Sequence, residues 1–169
     1  VAYPSFARNL ITNDTNNEWD VFAYYRLGII PTFLSIPSSI AGYPGEDVDV
    51  PVIFTSHDYN VDSTPFSVDF DETCLTYNGT TFSVPGTSVS SLTYSPLDTD
   101  GELDIAIRSN NYPPTPLVNG TLLTMHFTVK TSCQADPGGT RSVHVGFSTD
   151  PRASFGDNGQ SIPGATSDG

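Results

Sequence analysis

Three histidines, His57, His126 and His144, and nineteen carboxylates are the side chains through which this chain could do acid–base or metal chemistry. General acid–base work needs a titrating group held beside a substrate, and glycoside hydrolysis needs two carboxylates across one sugar. With so many acids some pair can always be nominated, so abundance selects none. His126 and His144 alternate with apolar neighbours in strand-like runs, which places both rings on a solvated side. No Gly-x-Ser-x-Gly elbow, His-Glu-x-x-His helix or phosphate-cradling glycine loop occurs. No catalytic residue is expected, and the chain is read as a protein other than an enzyme.

Hard oxygen ligands at calcium-like spacing stand at Asp98, Asp100 and, close by, Asp104. The remaining ligands of an EF-hand loop are missing, and Asp100-Gly101 is also an ordinary hairpin turn. Asp14, Asn16 and Asp20 form a similar, weaker set. The simpler expectation is no cofactor, with calcium at Asp98, Asp100 and Asp104 as the alternative. Aromatic rings can stack on sugar faces, but Trp19, Tyr24, Tyr25, Tyr59, Tyr94 and Tyr112 do not share one strand at i, i+2 spacing, so no planar sugar platform is expected. Asn13, Asn78 and Asn119 begin glycosylation sequons, the last two equally well explained as turns. The two cysteines, Cys74 and Cys133, are too few for a usual zinc site. They are either buried thiols or one disulfide, and a disulfide suits an oxidising, extracellular compartment.

The elements that must position these groups are strands. Val48, Val50, Val52 and Phe54 alternate with polar or solvent-facing neighbours, as do Phe66, Val68 and Phe70, and Leu103, Ile105 and Ile107. The longest row is Thr121, Leu123, Met125, Phe127 and Val129, opposed by Leu122, Thr124, His126, Thr128 and Lys130. Val143, Val145 and Phe147 make a fifth. Each row gives one face to a core and one to water, as antiparallel sheets do. Breaks at Tyr43-Pro44-Gly45, Tyr77-Asn78-Gly79, Val84-Pro85-Gly86, Tyr112-Pro113-Pro114 and Asn119-Gly120 supply the turn chemistry between them. Short strands so punctuated predict an all-β antiparallel sandwich.

Composition excludes other classes. The chain has 169 residues, nineteen acidic against six basic side chains and a formal charge of −13. Such a field repels polyanions, so nucleic acid is not a partner. No apolar run reaches the ~18–20 residues of a membrane-spanning helix, so no membrane insertion is expected. Residues 1–33 differ from the rest: two strand-like runs flank a polar connection, a hairpin that cannot stand alone. The chain is therefore read as a piece of a longer protein, with 1–33 the tail of a preceding domain and 34–169 a sandwich.

Gly42-Tyr43-Pro44-Gly45-Glu46-Asp47-Val48-Asp49-Val50-Pro51-Val52 resembles the opening of cohesin modules. In order follow Phe66-Ser67-Val68-Asp69-Phe70-Asp71, similar to the family's third strand, and 119–129, similar to its long sixth strand. Ser154-Phe155-Gly156-Asp157, Gly159, Ile162-Pro163 and Asp168-Gly169 resemble its C-terminal signature. The resemblance implies a jelly-roll sandwich whose last strand, following Asp168-Gly169, pairs with Leu34-Ser35-Ile36, so this piece is expected to lack that strand. It implies a non-catalytic, protein-binding module at the cell surface or outside the cell, with a dockerin as partner. Binding in the family uses one sheet face, which by position nominates Ser67 and Asp69 on the third strand and Thr124 and His126 on the sixth. The family's Asn and Asp ahead of the third-strand Phe are absent, since Asp62-Ser63-Thr64-Pro65 stands there. A carbohydrate-binding module that takes polysaccharide, or a structural spacer, is the alternative. The segments Ala7-Arg8-Asn9-Leu10-Ile11, Asp14-Thr15-Asn16 and Asp20-Val21-Phe22 resemble part of a bacterial β-propeller blade.

Overall fold

The alternating rows fold as strands of two stacked sheets. In the computed structural model the described residues are 2–5, 20–23, 31–57, 59–83, 87–95, 101–109, 111–134 and 140–168. In chain order the strands are β1 (Ala2–Ser5), β2 (Asp20–Ala23), β3 (Thr32–Ile36), β4 (Asp47–Thr55), β5 (Ser63–Phe70), β6 (Leu75–Phe82) and β7 (Thr87–Ser95). They continue with β8 (Glu102–Ser109), β9 (Gly120–Val129), β10 (Val145–Phe147), β11 (Phe155–Asp157), β12 (Gln160–Ile162) and β13 (Gly164–Asp168). One sheet has the order β13-β3-β4-β9-β6. The other runs β12-β11-β5-β8-β7, with β10 also paired to β5. The pair β1–β2 is a separate two-stranded antiparallel ribbon. No helix among the described residues is long and apolar enough to cross a membrane.

The rows close on one another. Leu34, Val50, Val52, Phe54 and Met125 from one sheet and Phe66, Val68, Leu103, Ile105 and Ile107 from the other lie in one buried cluster. Phe70 of β5 crosses the interface to Phe127 of β9, with ring centroids 5.0 Å apart, and to Tyr77 of β6 at 6.3 Å. Each such side chain withdrawn from water stabilises by roughly 1.5–3 kcal/mol, offset by the entropy of ordering the chain.

Three register shifts interrupt the ladders, in the β4–β9, β6–β9 and β7–β8 pairs, and two of them bear on the expected rows. Thr121 pairs with Ile53 while Leu123 pairs with Val52, which leaves Leu122 as an extra residue opposite that step. The phase therefore slips, and Leu122, expected outside, is buried while Thr121, expected inside, is exposed. Tyr77-Asn78-Gly79, expected to reverse the chain, is instead a bulge inside β6, between the pairs of Tyr77 with Phe127 and Gly79 with His126. Tyr43-Pro44-Gly45 does turn: Glu46 N–H donates to Tyr43 C=O at 2.9 Å, and Gly45 takes φ 92°, open to a residue without Cβ.

The edge of β3, expected to lie without a partner here, is occupied. β13 pairs with it in parallel from Gly164 opposite Thr32 to Asp168 opposite Ile36. All five β13 side chains are exposed, so this strand is held by its backbone ladder and shows no apolar period. Gly164 is required by close approach, because a Cβ there would stand 2.2 Å from the Phe155 ring. Asp168 then ties the two sheets together, its Oδ1 accepting Phe147 N–H at 2.7 Å.

The cysteines form a disulfide between residues 59 apart in sequence, with Cα atoms 4.8 Å apart. Cys74 precedes β6 and Cys133 follows β9, so the bond extends a pair of neighbouring strands. Lys130 N–H donates to Cys74 C=O at 2.7 Å, and Cys133 N–H to Lys130 C=O at 2.9 Å. Replacing both cysteines with serine is expected to lower unfolding free energy by about 4 kcal/mol in the loop-entropy model, read by urea denaturation of variant and parent. An unchanged midpoint would show that the ladder alone holds this corner.

Candidate functional site

Two outer faces remain once the core is filled, and they differ in chemistry. On the β5/β8 face the register sets Ser67 opposite Asp104, and Asp69 opposite Glu102. Both strands send their apolar residues inward, so these four point outward. Ser67 is nonetheless 0% exposed, its hydroxyl donating to Glu102 Oε1 at 2.8 Å. It is the floor of the face rather than a contact group. Asp104 Oδ1 is buried and has no hydrogen-bond partner among the described residues. Arg108, paired in register with Ser63, brings a cation to one end.

The β4/β9/β6 face carries two polar rungs. In the first, His126 Nδ1–H donates to Asp49 Oδ1 at 2.7 Å and His126 Nε2 lies 2.7 Å from the Thr81 hydroxyl. In the second, Thr128 donates to Asp47 Oδ1 at 2.5 Å and accepts from Asn78 Nδ2 at 2.7 Å. A neutral His126 satisfies its rung with Nε2 accepting from Thr81. His126 and Asp49 are 36% and 70% exposed in their side chains. The rungs span three strands, which makes them cross-strand ties on an open surface.

The four expected contact residues are therefore not brought together. Ser67 and Asp69 lie on one sheet, Thr124 and His126 on the other. Counting from β3, β5 is the third strand of the sandwich, β8 the sixth and β9 the seventh. The strand beside the third is the sixth, β8, and its outward acids Glu102 and Asp104 were missed as companions of Asp69. The signal was present in the alternation of Leu103, Ile105 and Ile107; what was missing was the pairing.

Of the calcium candidates, Asp98 and Asp100 lie outside the described residues, as do Asp14 and Asn16. Asp104 sits within a strand rather than on the turn, and Asp20 begins β2. Among the described residues no group of three or more His, Cys, Asp or Glu is placed to hold a metal ion. A cavity of about 640 Å³ opens between residues 36–46 and 140–145, lined by Ile36, Ile40, Val48, Val50, Val129 and Val143.

Asp71 holds the turn that presents Cys74. Its C=O accepts from Cys74 N–H at 3.1 Å and Leu75 N–H at 2.9 Å, and its Oδ1 accepts from Thr73 N–H at 2.9 Å. Burial pushes its carboxyl up, but the Thr73 hydroxyl and N–H, the Arg141 guanidinium 3.8 Å away and the Cys74 N–H together hold it below its ordinary value. A carboxyl depressed in the fold adds stability above its unfolded value near 3.9, and that contribution is lost as pH falls through the lower folded value. Asp71→Asn is thus expected to lower stability at pH 7 and to flatten the fall in stability below about pH 4. Thermal unfolding of both proteins from pH 7 to pH 2 checks this, and parallel curves would refute it.

The described strands define an all-β sandwich of two stacked sheets. The cohesin domain family matches residues 32–162, and the chain belongs to that family. Cohesins are non-catalytic binding modules, so this one is a binder rather than an enzyme. The sixth cohesin of scaffoldin B from Acetivibrio cellulolyticus, solved in complex with a dockerin, is 22% identical, with a TM-score of 0.62 over 81% of this chain and 94% of that one. A type I cohesin from Clostridium thermocellum, also in complex with a dockerin, is 14% identical, with a TM-score of 0.65 over 81% and 89%. The cohesin module of a family 33 glycoside hydrolase from Clostridium perfringens is 11% identical, with a TM-score of 0.59 over 82% and 98%. At these identities the likeness is one of fold. No curated protein matches the chain.

Proposed function

We propose that this module binds a dockerin on the outer face of β5 and β8 and belongs to a secreted or cell-surface protein. The observation that carries the reading is the cohesin family match over 32–162. The two solved relatives in complex with dockerins support the choice of partner. The choice of face rests on two arguments. The resemblance implies binding on one sheet face, and the strand beside the third, β5, is β8 rather than the 119–129 strand expected as the sixth. The opposite face has its polar groups committed to the Asp49–His126–Thr81 and Asp47–Thr128–Asn78 rungs, which a partner would have to break at a cost of about 1 kcal/mol per bond.

The face is small-featured, with Ser63, Pro65 and Ala106 around Asp69, Glu102 and Asp104. Where the family carries an Asn and an Asp, Asp62 here turns its Oδ2 to Asn158 N–H at 2.8 Å, Thr64 is buried, and neutral Ser63 and Pro65 face out. Recognition is accordingly assigned to the β8 acids rather than to that pair. The path of the chain, crossing between sheets after β4, β5, β6, β8, β9 and β12, supports a jelly-roll description. The disulfide supports an oxidising location. The residues ahead of β3 are read as the tail of a preceding unit, a boundary moved from the expected residue 33 because Thr32 and Phe33 belong to β3 and the family match begins at 32.

Two charge reversals separate the faces. Asp69→Arg is expected to weaken binding to a panel of dockerin modules at least tenfold, about 1.4 kcal/mol, while Asp49→Arg on the opposite face leaves it within twofold. Titration calorimetry on both variants decides the matter. Loss with Asp49→Arg alone moves the site to the other sheet, and no dockerin binding by the parent ends the reading.

A further inference from the structure

The loop between β8 and β9 carries no charge: positions 109–125 contain no Asp, Glu, Lys or Arg. Tyr112 at its tip is 100% exposed and Val118 67%, two of the four large hydrophobic side chains exposed among the described residues. Exposure here is not looseness. Ser109 Oγ accepts Asn111 N–H at 3.3 Å and Thr115 N–H at 3.0 Å, and it lies 3.1 Å from the Thr115 hydroxyl. Asn111 Nδ2 adds a bond to Thr115 Oγ1 at 2.8 Å, which closes the neck. Below it Leu117 is buried, with its N–H on Val61 C=O at 2.6 Å. Asn119 clamps the far leg, accepting Ser56 N–H at 2.8 Å and donating to Ser56 C=O at 2.9 Å.

A fully exposed aromatic on a braced loop adds nothing to folding, yet it is ready to bind, since the loop that carries it has little backbone freedom left to lose. The ligand is constrained by charge. A protein of formal charge −13 repels anions, and this loop offers neither a carboxylate to a cation nor a cation to an acid. What remains is a neutral partner with an apolar face for the ring and hydroxyls at its rim, where the Asn111 side-chain carbonyl has no hydrogen bond among the described residues. A pyranose has that form, with C–H groups on its faces and hydroxyls around its edge. We infer that the β8–β9 loop is a second binding site, independent of the β5/β8 face, which takes a neutral polysaccharide by stacking one sugar ring on Tyr112.

The test is retention of the module on insoluble cellulose, xylan, mannan and chitin, followed by depletion from solution. The parent is expected to be retained on at least one of these glycans. Tyr112→Ala is expected to lose at least tenfold of that retention, and Tyr112→Phe, which keeps the ring, to preserve it. Both variants are expected to keep the parent's melting temperature and its dockerin affinity, because Tyr112 touches neither the core nor the β5/β8 face. No retention of the parent on any of the four, or equal retention of Tyr112→Ala, overturns the proposal. So does a parent that self-associates in sedimentation while Tyr112→Ala stays monomeric without any glycan effect, since the ring then serves a second copy of the chain.

Discussion

Phe70 reaching across to Phe127 and Tyr77 is the contact on which the rest of the molecule depends. It joins β5 of one sheet to β9 and β6 of the other, and every inward row is in phase with it. Once alternate residues of each strand are committed to that interior, the outward ones follow from register. A slip of one residue would send Ser67 and Asp69 inside and Phe66 and Val68 into water, at several kcal/mol per strand. The chemistry of the surface is therefore a consequence of core register, and which polar residues meet depends on which strands are neighbours.

This is also where sequence reading reached its limit. The inward rows of β4, β5, β8 and most of β9 were legible because period-2 alternation of large apolar residues is hard to produce otherwise. The Pro44-Gly45 turn was legible for a similar reason, and the Cys74–Cys133 bond was one of two readings left open. β6 and β13 were not, because Thr-, Ser- and Gly-rich strands at the edges of a sheet carry little apolar pattern; all the side chains of β13 are exposed and only its ladder to β3 defines it. The bulge at Leu122 was hidden because a sequence row has no way to register an extra residue against a partner it has not been given. The same ignorance of pairing set Thr124 and His126 beside Asp69, when β8 is the actual neighbour of β5.

The two sheet faces use polar residues in opposite ways. On β4, β9 and β6 they bond to one another, so that His126 has both ring nitrogens engaged and Thr128 both gives and receives. Such rungs hold strands together and leave little unsatisfied for a partner. On β5 and β8 the buried Ser67 steadies Glu102 from below, while Asp104 retains an oxygen with no hydrogen bond among the described residues. An acceptor left in that state is costly in the free protein, by roughly 1–3 kcal/mol.

The strand β8 links the two recognition chemistries. Its outward residues give the sheet face its acids, and at Ser109 it hands the chain to a loop that has no charge at all. Charge on the face acts at a distance, drawing in a complementary protein from about a Debye length, ~8 Å at physiological salt. The loop has no such reach and recognises only what already touches Tyr112. On the two proposed readings, a protein with basic groups is steered to the sheet, while a neutral chain feels no pull there and meets the exposed Tyr112 ring on the loop. Neither surface needs a cleft, and neither disturbs the interior that fixes it.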